Sequence, residues 1–112
     1  MDEYIKSFLY DVLQSLNEID SYFENGTMSF EELTSDIKTK RAVERNLEII
    51  GEALNRALKI DKNLSIEHAR QIVDTRNRII HGYDSVSDEI LWSIIIKYLP
   101  RLRSDVEKLL GE

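Results

Sequence analysis

Residues 36–59 read Asp36-Ile37-Lys38-Thr39-Lys40-Arg41-Ala42-Val43-Glu44-Arg45-Asn46-Leu47-Glu48-Ile49-Ile50-Gly51-Glu52-Ala53-Leu54-Asn55-Arg56-Ala57-Leu58-Lys59. With Leu33 and Ile37 leading in, Val43, Leu47, Ile50, Leu54 and Leu58 recur at steps of three and four, the stripe of an amphipathic helix. No proline interrupts it, so one long helix is expected from about Asp36 to Lys59, and it is the natural backbone of a helical bundle. Arg41, Arg45, Glu48 and Glu52 form a charged seam along one side. Such a seam is most simply a solvated face with i,i+4 pairs worth a few tenths of a kcal/mol each. Gly51 bears on that reading: glycine inside a helix costs about 1 kcal/mol relative to alanine, a cost tolerable where another backbone comes close. Close packing near Gly51 and Glu52, within the chain or across a dimer, is therefore expected.

Working outward, Ile5, Phe8, Leu9, Val12, Leu13, Leu16, Ile19 and Phe23 give a first helix from Tyr4 to about Asn25, with Gly26 as its stop. Ser29 and Glu32 have the spacing of a capping box, and Met28 and Leu33 that of a hydrophobic staple, so a short second helix starts at Ser29. Beyond the long helix, Ile60 to Leu64 is a polar loop, and Ser65 is expected to cap a fourth helix through Ile66, Ala69, Ile72, Val73, Ile79 and Ile80. Gly82 stops it, and Asp84 and Ser85 form a turn. Ser87 can cap a fifth helix, with Val86 and Leu91 as its staple. That helix runs to Leu110 with a kink at Pro100, which removes a ladder hydrogen bond and crowds the carbonyl of Ile96. No strand pattern or repeat is present. Short loops make neighbours antiparallel, giving an all-α up-down bundle of four main helices plus a short one, in a single domain spanning residues 1–112.

Composition narrows the function. At 112 residues the chain can bury roughly two-thirds of its unfolded surface, enough for one core. A hydrophobic fraction of 42% with 32% charged residues is too apolar for disorder and too charged for a membrane protein. Cysteine is absent, which removes thiol nucleophiles and thiolate metal sites, and two histidines cannot build a His-rich zinc site. The start lacks a basic signal region and no apolar run is long enough to span a bilayer, so a cytoplasmic protein is expected. The net charge of −6 argues against broad binding of nucleic acid. Any such site must be a local patch, and Arg70, Arg76 and Arg78 against Asp74 supply one.

The patch runs from His68 to Tyr83 and ends in Asp74-Thr75-Arg76-Asn77-Arg78-Ile79-Ile80-His81-Gly82-Tyr83. On an ideal helix Asn77 shares a face with His81, Arg78 is a near neighbour, and Arg76 points about 140° away. Either the last turn is distorted near Gly82, or Arg76 and His81 serve one site through a symmetry mate. A purely structural reading also fits: Arg70, Asp74 and Arg78 as an i,i+4 ladder, His81 favoured at a helix C-terminus by the macrodipole, and Gly82 as an ordinary stop.

Arg76-x-x-x-x-His81-x-Tyr83, with Asn77 directly after the arginine, resembles the signature of the HEPN superfamily, in its HepT-like toxin branch. The stretch from Arg41 to Ala53 resembles that branch's other recurrent block. Two blocks in the right order, on matching helices, extend the resemblance over nearly the whole chain. It implies a metal-independent endoribonuclease, needing no cofactor, that acts as the toxin of a two-gene module. Its partner would be an MntA-like nucleotidyltransferase antitoxin. Arg76 and His81 would be catalytic, Asn77 and Arg78 would bind or orient substrate, and Tyr83 would be the tyrosine to which the antitoxin attaches AMP. The residue types suit the task. RNA carries its own nucleophile in the 2′-hydroxyl, histidine with an ordinary pKa of about 6.5 can move protons, and arginine offers a fork to phosphate oxygens. A homodimer with the two helix-four ends at a shared cleft would bring Arg76 and His81 together. The alternatives are a catalytically silent HEPN subunit that binds a nucleotidyltransferase or nucleotide, and an unrelated structural bundle.

Overall fold

In the computed structural model, residues 1–23, 29–81 and 86–111 are described, and these contain six helices and no strand. The helices are α1 (Glu3–Ser21), α2 (Phe30–Ser35), α3 (Ile37–Ile60), α4 (Ala69–His81), α5 (Asp88–Lys97) and α6 (Leu99–Leu110). The all-α bundle expected from the sequence is present: α1, α3, α4 and the α5–α6 pair are the main members and α2 is the short one. Expectations that fall on residues 24–28 and 82–85, namely the stops at Gly26 and Gly82, the staple residue Met28, the turn at Asp84 and Ser85, and Tyr83, lie outside the described residues.

Local chemistry sets most helix starts. Asp2 Oδ1 accepts from the backbone N–H groups of Tyr4 and Ile5, at 2.8 and 3.1 Å. Ser29 Oγ accepts from Glu32 N–H, Asp36 Oδ1 from Lys38 N–H and Ser87 Oγ from Ile90 N–H. Each satisfies one of the donors that a helix N-terminus leaves unpaired. Lys40 adds an ion pair to Asp88 at 2.5 Å, tying α3 to the start of α5.

Three helix boundaries depart from expectation. The first helix, expected to reach about Asn25, ends at Ser21, where the N–H groups of Tyr22 and Phe23 bond three residues back to the Ile19 and Asp20 carbonyls and tighten the last turn. The fourth helix begins at Ala69, and Ser65 does not cap it. The reason lies elsewhere in the chain: the buried carboxylate of Asp105, on α6, accepts from Glu67 N–H at 2.9 Å and holds the approach to α4 as a turn. His68 ends that turn with φ of +67°, in the left-handed region, and its carbonyl accepts from Ile72 N–H. Its ring packs against Tyr98 with centroids 4.7 Å apart. The fifth helix is interrupted at Tyr98, and Pro100 stands in the first turn of α6, where its missing N–H costs nothing. The kink expected at Pro100 is thus a break two residues earlier.

α3 is the central element, packed against α1, α2 and α4. Glu18 of α1 and Tyr22 just past its end meet Asn46, while Phe8 and Asp11 share a groove with Ala53 and Arg56, so α1 and α3 run antiparallel. Leu9, Val12 and Ile19 of α1, Val43, Leu47, Ile50 and Leu54 of α3, Ile72 of α4, Leu91 and Ile95 of α5 and Leu102 of α6 are wholly buried together. At about 25 cal/mol per Å² such burial supplies most of the drive to fold. Phe30 on α2 meets Trp92 on α5 edge to face at 5.9 Å.

Asn46 carries a polar contact across the α1–α3 interface. Asn46, only 3% exposed, accepts from Tyr22 OH at 2.6 Å and donates to Glu18 Oε1 at 2.8 Å. Burial, and secondarily the charge of Glu18, push the Tyr22 phenol up from its ordinary pKa. A buried polar group removed from one side leaves its partners unsatisfied, at about 1–3 kcal/mol. Asn46→Ala should lower the unfolding free energy by about that amount, measured by urea denaturation, with the denaturant slope unchanged.

Candidate active-site groove at Gly51 and Arg76

α3 and α4 approach closely at Gly51. A Cβ there would overlap Arg76 Cβ, with Arg76 Cγ at 2.8 Å and the Ile72 carbonyl oxygen at 3.4 Å. The glycine is therefore a packing requirement: its missing side chain makes the room in which the stem of Arg76 lies. The close packing expected at Gly51 is found within the chain.

The same contact sets the guanidinium. Arg76 Nη2 donates to Glu52 Oε2 at 2.5 Å, and Nη1 donates to Asn77 Oδ1 at 2.7 Å. The Nε–H is buried without a protein acceptor. Glu52 Oε1 accepts from Arg56 Nε at 2.8 Å, so one carboxylate bridges arginines of two helices. The Arg56 hydrogen bond, and then the charges of Arg76, Arg56 and Lys59, hold the Glu52 carboxyl below the usual carboxylate range against the opposing effect of partial burial.

Arg76, Glu52 and Arg56 line a groove of about 280 Å³ between α1, α3 and α4. Phe8, Ile49, Ala53 and Ile80 give it apolar walls, and Asp11, Arg45 and Glu48 complete the lining. Arg45 pairs with Glu48 at 3.0 Å. The seam on α3 is thus partly the wall of a groove, and only Arg41, paired with Glu44 at 2.6 Å, keeps the role of a surface pair outside it.

The remaining residues of the motif fall as helical geometry dictates. α4 is regular through His81, so no distortion within the described residues turns His81 toward Arg76. Arg76 and Asn77 are half-buried and joined by their side chains, whereas Arg78 and His81 are exposed. His81 is the last residue of α4 and does not line the groove. The expected ladder of Arg70, Asp74 and Arg78 is not formed: all three are exposed and, among the described residues, carry no ion pair. Glu52 was legible as part of the charged seam but not as the partner of Arg76, which lies 24 residues away. The adjacent Gly51 was the one signal pointing there.

The chain's relatives bear on this site. A family model described as Ribonuclease HepT-like matches residues 12–109, a span that contains both α3 and the Arg76–His81 segment. The chain belongs to this HepT-like family. It is 32% identical over 110 residues to a putative RNase of Methanocaldococcus jannaschii, covering 96% of this chain and 88% of that protein. It is 33% identical over 105 residues to the probable ribonuclease HepT of Thermococcus cleftensis, covering 93% and 94% of the two chains. No solved structure gives a significant match.

Two outcomes follow from the contact at Gly51. Gly51→Ala must push α4 away from α3, and overpacking of this kind costs about 1–3 kcal/mol; thermal unfolding should show the loss. The ion pair of Glu52 has a sign that can be checked as well. A carboxyl whose folded pKa is depressed stabilises fully above its unfolded value of about 4.3, and that stability is lost as the pH falls through the folded value. The Tm advantage of the native chain over Glu52→Gln, modest because the pair is partly exposed, should therefore shrink to nothing as melts are taken from neutral to strongly acidic pH.

Proposed function

We propose that this protein is a metal-independent endoribonuclease that acts as the toxin of a toxin-antitoxin module, cutting RNA with Arg76 and His81 at a cleft between two copies of the chain. The observation that carries the reading is the joint presence of HepT-like family membership and an Arg76 side chain oriented in a groove wall five residues before a helix-terminal His81.

The chemistry needs little more. The 2′-hydroxyl of a ribose attacks the adjacent phosphorus as the bond to the 5′-oxygen of the next nucleotide breaks, leaving a 2′,3′-cyclic phosphate and a 5′-hydroxyl. His81 moves the proton, taking it from the attacking hydroxyl or giving it to the departing oxygen. Arg76 holds the charge that builds on the non-bridging oxygens, and Asn77, already bonded to Arg76, fixes its direction. Arg78, exposed on the same helix, contacts the flanking backbone. On one regular helix Arg76 and His81 diverge by about 140°, so the reading calls for a two-fold homodimer that faces one copy's Arg76 toward the other's His81.

Regulation completes the proposal. Tyr83, two residues beyond His81, is the position at which an MntA-like nucleotidyltransferase would attach AMP. The added phosphate would repel an RNA phosphate at the same place by on the order of a few kcal/mol, and 1.4 kcal/mol is already tenfold in binding. It would also compete for Arg76 or Arg78. One observation favours the silent-subunit reading instead: in the groove, three carboxylates (Asp11, Glu48, Glu52) offset three arginines (Arg45, Arg56, Arg76).

His81→Ala and Arg76→Ala should each abolish cleavage of a fluorescent RNA, the first with the melting temperature nearly unchanged and the second with a modest fall from the lost Glu52 pair, and Arg76→Lys should restore little cleavage, because lysine keeps the charge but lacks the fork. Chelators should have no effect and the products should carry 2′,3′-cyclic ends; cleavage that depends on magnesium would refute the mechanism. Incubation with the partner enzyme and ATP should label Tyr83, mapped by mass spectrometry, and stop cleavage.

A further inference from the structure

We infer that Glu52 is a positioning residue for the Arg76 guanidinium, a role that rests on the ribonuclease reading and adds a residue to it. Arg76 lies over Gly51 with its stem fixed by the α3–α4 contact, but a stem alone does not orient a guanidinium, because the outer torsions of a free arginine side chain stay mobile. Two contacts define the plane of the fork: Asn77 Oδ1 on Nη1, and Glu52 Oε2 on Nη2. Asn77 is the next residue on the same helix and moves with Arg76, so Glu52 is the contact that references the fork to α3.

The sign of the effect follows from Arg56. A carboxylate paired with Arg76 alone would cancel its charge and compete with an incoming phosphate. Here the second oxygen of Glu52 is taken by Arg56, whose side chain is 60% exposed at the groove. Two arginines share one carboxylate, so the Arg76–Glu52–Arg56 trio keeps a net charge of +1 and the fork is held without its charge being cancelled, within a groove whose other charges, Arg45, Asp11 and Glu48, bring the lining to zero. Preorganised charge of this kind acts on the transition state without reorganising at the moment of reaction. Glu52 is thus assigned to the chemical step through Arg76, and not to contact with RNA.

Glu52→Gln and Glu52→Met separate the possibilities, since both keep the length of the side chain while only glutamine keeps an acceptor. Steady-state cleavage of a short fluorescent RNA should give Glu52→Met a kcat lower by about tenfold to a hundredfold, the size of effect that a misplaced catalytic group produces, with KM changed less than threefold. Glu52→Gln should fall between it and the native chain. NMR of the Arg76 guanidinium gives a second readout: its Nη protons should be distinct in the native chain and averaged in Glu52→Met. If the native chain cleaves, Arg76→Ala does not, and Glu52→Met cleaves at the native rate or faster, the assignment of Glu52 is overturned while the ribonuclease reading stands. If the native chain does not cleave RNA at all, that reading fails and takes this one with it.

Discussion

The contact between α3 and α4 at Gly51 is the constraint from which the groove and its arginine follow. A side chain at that position would occupy the volume of Arg76 Cβ, so the two helices reach their observed separation only because residue 51 is glycine. That separation lays Arg76 across α3, within reach of Glu52, where both line the groove between α1, α3 and α4. The helix-propensity cost of a mid-helix glycine, about 1 kcal/mol, is offset by the packing it permits. The core beneath, from Leu47, Ile50 and Leu54 to Ile72, holds the two helices in that register.

Chemistry at the groove is governed by how charge is shared. Three arginines and three carboxylates line it, on a chain whose net charge is −6, so long-range attraction of a polyanion is not what this surface is built for. What it offers is a single oriented guanidinium with a second one beside it. Such an arrangement suits local recognition of one phosphate, with the apolar walls of Phe8, Ile49 and Ala53 alongside, better than a continuous grip on a backbone. The proposed activity is consistent with that, because self-cleavage of RNA through its 2′-hydroxyl needs proton transfer and charge stabilisation at one phosphorus only.

The sequence was legible wherever the determinant was local. Asp36, Ser29 and Ser87 cap helices by bonds to residues two or three positions on, and those starts were read correctly. Gly51 was legible as a close-packing site because a glycine in a strong helical pattern needs a reason. What escaped was set at long range. Asp105 holds the turn before α4 from 38 residues away, which displaced the expected cap at Ser65, and His68 takes a left-handed backbone that no local rule asks of histidine. The break at Tyr98 came two residues before the proline that announced it, because Pro100 is accommodated in the first turn of α6. Along the sequence Glu52 is one charge in a seam; its pairing with Arg76 depends on the register of two helices, which periodicity along either one does not contain.

The central claim is that Arg76 and His81 act together, from two copies of the chain, on one phosphate. Mixing two variants that are each inactive, Arg76→Ala and His81→Ala, tests it most directly. In a heterodimer one of the two Arg76–His81 pairings across the shared cleft joins the intact Arg76 of one copy to the intact His81 of the other, while the second pairing has neither. After unfolding and refolding an equimolar mixture, half of the dimers should be mixed and each should hold one working site, so RNA cleavage should return to about one quarter of the native rate. A mixture as inactive as its components would contradict the account.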